Sequence, residues 1–160
     1  MRTIRHYVDR RAEEQPDKIY MIAPEPGLTL TYGQLKEDSV LLGKHLLKKG
    51  LKKGEKISFM LGNGYQMTKL FLGTMYGGFV IAPLNLMAQP AQLEYVLNHS
   101  DTKLVFFSQD QKEKLETAAK AVKRDIELIQ IDNDAESIFP KAQDLTGSSL
   151  PEVTEEDACD

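Results

Sequence analysis

The 160-residue sequence contains one cysteine, Cys159, and no tryptophan. One cysteine cannot form an internal disulfide, and Met1-Arg2-Thr3-Ile4-Arg5-His6 lacks the apolar stretch of a secretory signal, so a reducing cytoplasm is the expected location. No apolar run approaches the roughly 20 residues a spanning helix needs, and no transmembrane segment is expected. Twenty Lys and Arg against 24 Asp and Glu leave a net charge of -4, which supplies no field for steering nucleic acid. His6, His45 and His99 stand far apart, without the second ligand at close spacing that a metal site on one element requires, so no metal ligands are expected. There is no Gly-x-x-x-x-Gly-Lys-Ser/Thr phosphate loop and no Gly-x-Ser-x-Gly nucleophile elbow. No catalytic acid, base or nucleophile can be assigned from the residues.

What is present is a globular composition, 41% hydrophobic and 28% charged, at a length that suits one folding unit. Thr3 can cap a helix with Ile4, Tyr7, Val8 and Ala12 at helical spacing, and Pro16 stops it. Residues 18–23 and 28–30 read as strands around the turn Pro24-Glu25-Pro26-Gly27, which predicts a hairpin. Thr31 with Gln34 forms a capping box for a helix that buries Leu35, Leu42 and Leu46 and ends at Gly50. From Glu55 short apolar runs alternate with amphipathic stretches. Strands are expected at residues 56–61, 79–84, 103–107 and 127–131, and helices near residues 66–76, 91–99 and 112–123, with Pro90 at a first helical position. The alternation predicts an α/β fold, a mainly parallel flavodoxin-like sheet flanked by helices and preceded by a short hairpin. Residues 1–131 form that unit, and the acidic residues 132–160 read as a connector.

Three local features could hold an anion. A strand running into Gly62-Asn63-Gly64 and then a helix is a geometry in which free N–H groups cradle phosphate, but Met67 stands where the dinucleotide fingerprint needs its third glycine. A tight turn without a ligand is favoured there. The run Lys48, Lys49, Lys52 and Lys53 reads as a solvated helix end. Thr146-Gly147-Ser148-Ser149 resembles a phosphate cradle in composition only, since acidic residues follow it.

An ordered series of motifs carries a resemblance to a known family. Leu30-Thr31-Tyr32-Gly33-Gln34-Leu35 resembles an early signature of adenylate-forming enzymes, and the stretch from Leu72 to Asn85, ending Pro83-Leu84-Asn85, is similar to their second. Lys48 to Glu55 and Gln92 to Leu97 fall at matching intervals. One departure is Gly62, where relatives usually carry proline. The resemblance is to the N-terminal part of an AMP-forming acyl-CoA synthetase of the long-chain fatty acid–CoA ligase kind. It implies the first subdomain of that enzyme's large N-terminal domain and a reaction that uses ATP, Mg2+ and coenzyme A on a fatty or other apolar carboxylic acid. It also places the family's phosphate-binding loop just after Asp160, so the 160 residues alone are expected to be inactive, to bind none of these cofactors tightly, and to self-associate through an apolar face. It transfers no catalytic residue. Asn63 and Asn85 are the candidate cofactor-binding positions, near the carboxyl edge of the sheet where α/β ligands sit. A fatty-acyl-AMP ligase that loads a carrier protein, and a free-standing flavodoxin-like binding module, remain the alternatives.

Overall fold

The structure, a computed structural model, describes residues 3–138 and 149–157. Helix α1 (Ile4–Glu14) starts where the Thr3 hydroxyl accepts the His6 N–H at 3.2 Å, one of the donors that a helix start leaves without an internal partner. Strands β1 (Ile19–Ala23) and β2 (Leu28–Thr31) pair antiparallel as the predicted hairpin. Helix α2 (Tyr32–Lys48) opens on the expected capping box. The Gln34 N–H donates to the Thr31 hydroxyl at 3.2 Å, and the Thr31 N–H donates to Gln34 Oε1 at 2.9 Å. Gly50, at φ 89°, follows the helix in the left-handed conformation that ends it.

The remainder alternates strand and helix: β3 (Lys56–Met60), α3 (Tyr65–Gly77), β4 (Val80–Pro83), α4 (Pro90–His99), β5 (Leu104–Phe107), α5 (Lys112–Lys120) and β6 (Glu127–Gln130). The four strands are all parallel, in the order β4-β3-β5-β6. This is the flavodoxin-like order: the first strand lies inside, its successor on one side and the later strands on the other. Because crossovers are right-handed, the reversal puts α3 on one face and α4 and α5 on the opposite face. Packing agrees, with α3 against α1 and α2, and α4 against α5.

Period-two alternation along the strands builds two cores. Ile57, Phe59, Leu104 and Phe106 join Leu42, Leu46 and Leu70 on one face, while Met60, Val105 and Phe107 join Leu93, Leu97 and Leu115 on the other. A strand covered on both faces has no polar side to show, which is why β5 is Leu-Val-Phe-Phe and buried throughout. Each such side chain contributes about 1.5–3 kcal/mol on burial. A third cluster, Val8, Ala23, Leu30, Leu35, Tyr65 and Tyr76, seats α1 and the hairpin on α2 and α3.

The sequence misses one element and overextends another. A 3-10 turn, Gln109–Gln111, precedes α5. Helix α5 ends at Lys120 rather than residue 123, because the Ala121 and Val122 N–H groups bond three residues back and tighten the last turn. Residues 146–148 of the Thr146–Ser149 stretch, and Cys159, lie outside the described residues.

Candidate functional site

The direction of chain crossover reverses between β3 and β5, so the crevice beyond their carboxyl ends is where a fold of this order presents a ligand site. Asn63 follows β3 by three residues and Asn85 follows β4 by two. Both stand exposed at the carboxyl edge, past neighbouring strands. The Asn85 carboxamide oxygen accepts the Met87 N–H at 2.9 Å and its carbonyl accepts the Ala88 N–H at 3.0 Å, an Asx-type turn that leads the chain into α4. Asn63 contributes its backbone carbonyl, which accepts from the Asn133 carboxamide at 3.2 Å. Asn85 is thus engaged in its own turn, and Asn63 is tied by its backbone carbonyl to Asn133.

Asn133 also answers the question posed by Gly62-Asn63-Gly64. Gly64 precedes α3 and has no side chain to cap it. The Gln66 N–H instead donates to the Asn133 carbonyl at 2.9 Å, the Met67 N–H to Asn133 Oδ1 at 2.9 Å, and Asn133 Nδ2 to the Gly62 carbonyl at 3.0 Å. Two of the amide donors that could cradle an anion, those of Gln66 and Met67, are taken by the chain itself. Neighbouring bonds extend the seam: Gln66 Nε2 donates to the Ala135 carbonyl at 2.6 Å and Lys69 Nζ to the Glu136 carbonyl at 3.2 Å. Lys69 is 5% exposed. Its charge is met by the Asp38 carboxylate at 2.8 Å and by the face of Tyr65, 4.9 Å from the ring centroid. Burial first, and Asp38 second, push the Tyr65 hydroxyl above its ordinary pKa.

Beside this seam a groove of about 500 Å³ runs between the hairpin tip and the β3–α3 turn, lined by Ala23, Glu25, Asn63, Gly64, Thr68 and Asp134 among others. Its charged members are acidic. At the end of β5, hydrogen bonds from Ser108 and then Gln111 hold the Asp110 carboxyl below the usual carboxylate range, so it is ionised at neutral pH. Carboxylates, with the Gln66 and Met67 N–H groups already occupied, do not fit a triphosphate here. Among the described residues no group of three or more His, Cys, Asp or Glu is placed to hold a metal ion. None of the described helices is long and apolar enough to cross a membrane.

Sequence reading finds the turn and both asparagines but misses Asn133, placed in an acidic connector. The available signal was the missing cap: a glycine at a helix start obliges another residue to satisfy the first N–H groups.

A parallel sheet in flavodoxin order, helices on both faces and an antiparallel hairpin in front make a fold that this chain shares with solved CoA ligases. The chain belongs to the AMP-binding enzyme family, whose model matches residues 8–159. It is 41% identical over 143 residues to a sulfoacetate–CoA ligase of Cupriavidus necator, a match covering 88% of this chain and 28% of that protein. In fold it is similar to a fatty acyl CoA synthetase of Mycobacterium tuberculosis (TM-score 0.72, 20% identity, 98% of this chain and 30% of that one). It is also similar to a benzoate CoA ligase of Burkholderia xenovorans (TM-score 0.74, 24% identity, 94% of this chain and 29% of that one). The chain therefore spans less than a third of the length of these relatives.

Proposed function

We propose that these 160 residues are the N-terminal part of a longer carboxylic acid–CoA ligase. The observation that carries this reading is the family match over residues 8–159, in a chain whose Leu30-to-Leu35 and Leu72-to-Asn85 motifs occupy the β2–α2 and α3–β4 junctions of the expected fold. In the longer protein a carboxylate attacks ATP, pyrophosphate leaves, and the thiol of coenzyme A displaces AMP from the acyl-adenylate. A carboxylate is a poor electrophile, and adenylation turns its oxygen into a leaving group. Mg2+ offsets phosphate charge in such a step. Residues 1–131 serve as the supporting α/β subdomain and residues 132–160 as the connector toward the phosphate-binding part. The 160 residues alone lack the catalytic groups and are inactive, and the protein works in the cytoplasm.

For the acid itself, the Pro83-Leu84-Asn85 ending supports a fatty or other apolar substrate. A second reading is favoured by the 41% identity to a protein named for sulfoacetate, a short acid with a second negative charge. The test is thioester formation by the longer protein with ATP, Mg2+ and coenzyme A, across straight-chain acids, aryl acids, sulfoacetate and amino acids. Strongest turnover with aliphatic acids supports the first substrate reading and strongest turnover with sulfoacetate the second. Aminoacyl-adenylate as the main product overturns both.

A further inference from the structure

Arg5 of α1 and Pro151, 146 positions apart in sequence, are joined by one hydrogen bond. Among the described residues, 149–157 form no helix or strand, and the Asp157 N–H bond to the Thr154 carbonyl at 3.3 Å is local, so side chains must hold this segment in place. Arg5 Nη1 donates to the Pro151 carbonyl at 2.7 Å, while Nε and Nη2 donate to the Tyr76 carbonyl at 2.8 and 2.6 Å. Tyr76 lies in the last turn of α3, where carbonyls have no partner within the helix and the dipole is negative. A guanidinium is favoured there on both counts.

Arg5 is itself held in position. Its guanidinium carbon stands 5.1 Å from the centroid of the Tyr76 ring. About one helical turn further along α1, the Asp9 carboxylate accepts the Tyr76 hydroxyl at 2.8 Å and pairs with Lys36 of α2 at 3.1 Å, so α1 is fixed to both neighbouring helices. The other ties on the segment are weaker. A Cβ on Gly43 would stand 2.7 Å from Leu150 Cδ2, so Leu150 sits in the space that glycine leaves over α2. The Lys53–Asp157 pair, at 2.7 Å, has side chains 34% and 28% exposed, and ion pairs that reach water contribute little. Hydrogen bonds from a charged donor are the stronger kind, and the planar fork of arginine serves two carbonyls at once.

We propose that Arg5 is a positioning residue: it clasps residues 149–157 to the α/β unit and so fixes where the chain leaves that unit toward the phosphate-binding part of the longer protein. The consequence for the reaction rests on the proposed function, whereas the clasp rests on the Arg5 bonds alone. Lysine does not replace it. A single ammonium on a flexible stem cannot meet the Tyr76 and Pro151 carbonyls in the fixed geometry of the fork. Without the fork the segment keeps only Leu150 and the exposed ion pair, and its path is no longer unique. Displacing a substrate-binding part by about 1 Å can cost on the order of 100-fold in rate, so a clasp remote from the chemistry is visible in kcat.

Two measurements on Arg5→Lys and Arg5→Met test this. In the 160-residue chain, a Glu-specific protease should cut after Glu152, Glu155 or Glu156 at least about tenfold faster in both variants than in the parent, because cleavage reports opening of the segment. The amides of β5 should keep their exchange protection, the sign that the unit stays folded. In the longer protein, both variants should lower kcat for acid-dependent exchange of pyrophosphate into ATP at least about tenfold, with KM for the acid within about twofold of the parent. Parent-like cleavage overturns the proposal, as does an Arg5→Lys protein that behaves as the parent. Faster cleavage with unchanged kcat also overturns it. So does a lower kcat that comes only with lost protection of β5, since Arg5 would then serve the fold alone. An unsubstituted longer protein that exchanges no pyrophosphate with any acid refutes the proposed function, and the cleavage rates still decide whether Arg5 holds the segment.

Discussion

Asn133 and Gly64 fit together so closely that a Cβ on Gly64 would stand 2.2 Å from the Asn133 side-chain nitrogen. The contact spans 69 positions of sequence and joins the segment after β6 to the start of α3. Gly64 has φ 169°, extended backbone that any residue adopts, so the requirement for glycine is one of space.

Gly64→Ala is therefore expected to destabilise the fold by about 1–3 kcal/mol, the usual range for forcing extra atoms into a packed site. Asn133→Ala removes the side-chain cap on Met67 and two donated bonds, a loss of about 1–2 kcal/mol. Because truncating Asn133 also clears the clash, the double variant should be less destabilised than the sum of the singles by at least about 0.5 kcal/mol. Urea unfolding midpoints measure all three, and strict additivity would contradict the contact.

Lys69 and Asp38 join α3 to α2 by an ion pair at 2.8 Å, with Lys69 almost wholly buried and Asp38 29% exposed. Breaking a fully buried pair costs about 3–5 kcal/mol. Asp38 can recover water when its partner is lost, so Lys69→Met is expected at about 2 kcal/mol. Adding Asp38→Leu should recover part of that loss in thermal or urea unfolding. A Lys69→Met protein as stable as the parent would show that the pair is dispensable.

Much of this fold was legible because local and global signals agree. The Thr31–Gln34 capping box, Pro90 at the start of α4 and the all-apolar β5 run each report their own element, and period-two alternation with helices between implied a parallel sheet. The strand order was legible only at the level of class, since the reversal between β3 and β5 depends on which faces the helices choose. Asn63 and Asn85 fell at the expected edge, whereas Asn133 and Arg5 were invisible. Asn133 is bonded to residues about 70 positions away, and Arg5 holds the Pro151 carbonyl 146 positions away; no local pattern encodes such partners. Leu104 to Phe107, a run that would favour association as an exposed edge, lies inside the sheet between β3 and β6.

His45 gives the fold a pH dependence with a definite sign. Burial first, and the nearby Lys49 second, lower its pKa from the ordinary 6.5. The unfolded chain then takes up the proton more readily, so this contribution to stability is complete above pH 6.5 and declines as pH falls from there toward the lowered value. His45→Gln should flatten the slope of stability against pH below 6.5 while leaving the acid loss from Asp110 and Asp157, whose lowered carboxyl pKa values place it below 3.8. Denaturant titrations at a series of pH values check this, and an unchanged slope in the variant would refute it.

The hairpin leaves Ile19, Tyr20 and Ile22 at 50%, 40% and 64% exposure, an apolar surface of the kind that associates. The 160-residue chain is expected to self-associate with rising concentration, and Tyr20→Lys with Ile22→Lys to weaken that association. Sedimentation velocity reads both. A monodisperse monomer at every concentration would count against it.

We propose that this chain is the scaffold end of an acid-activating enzyme whose chemistry requires residues beyond Asp160. Acid-dependent exchange of pyrophosphate into ATP, measured side by side on the 160-residue chain and the longer protein, tests it most directly. Exchange is expected from the longer protein with a carboxylic acid present, and none above a contaminant control from the short chain. Acid-dependent exchange by the short chain, or its absence from the longer protein across the whole panel of acids, would contradict it.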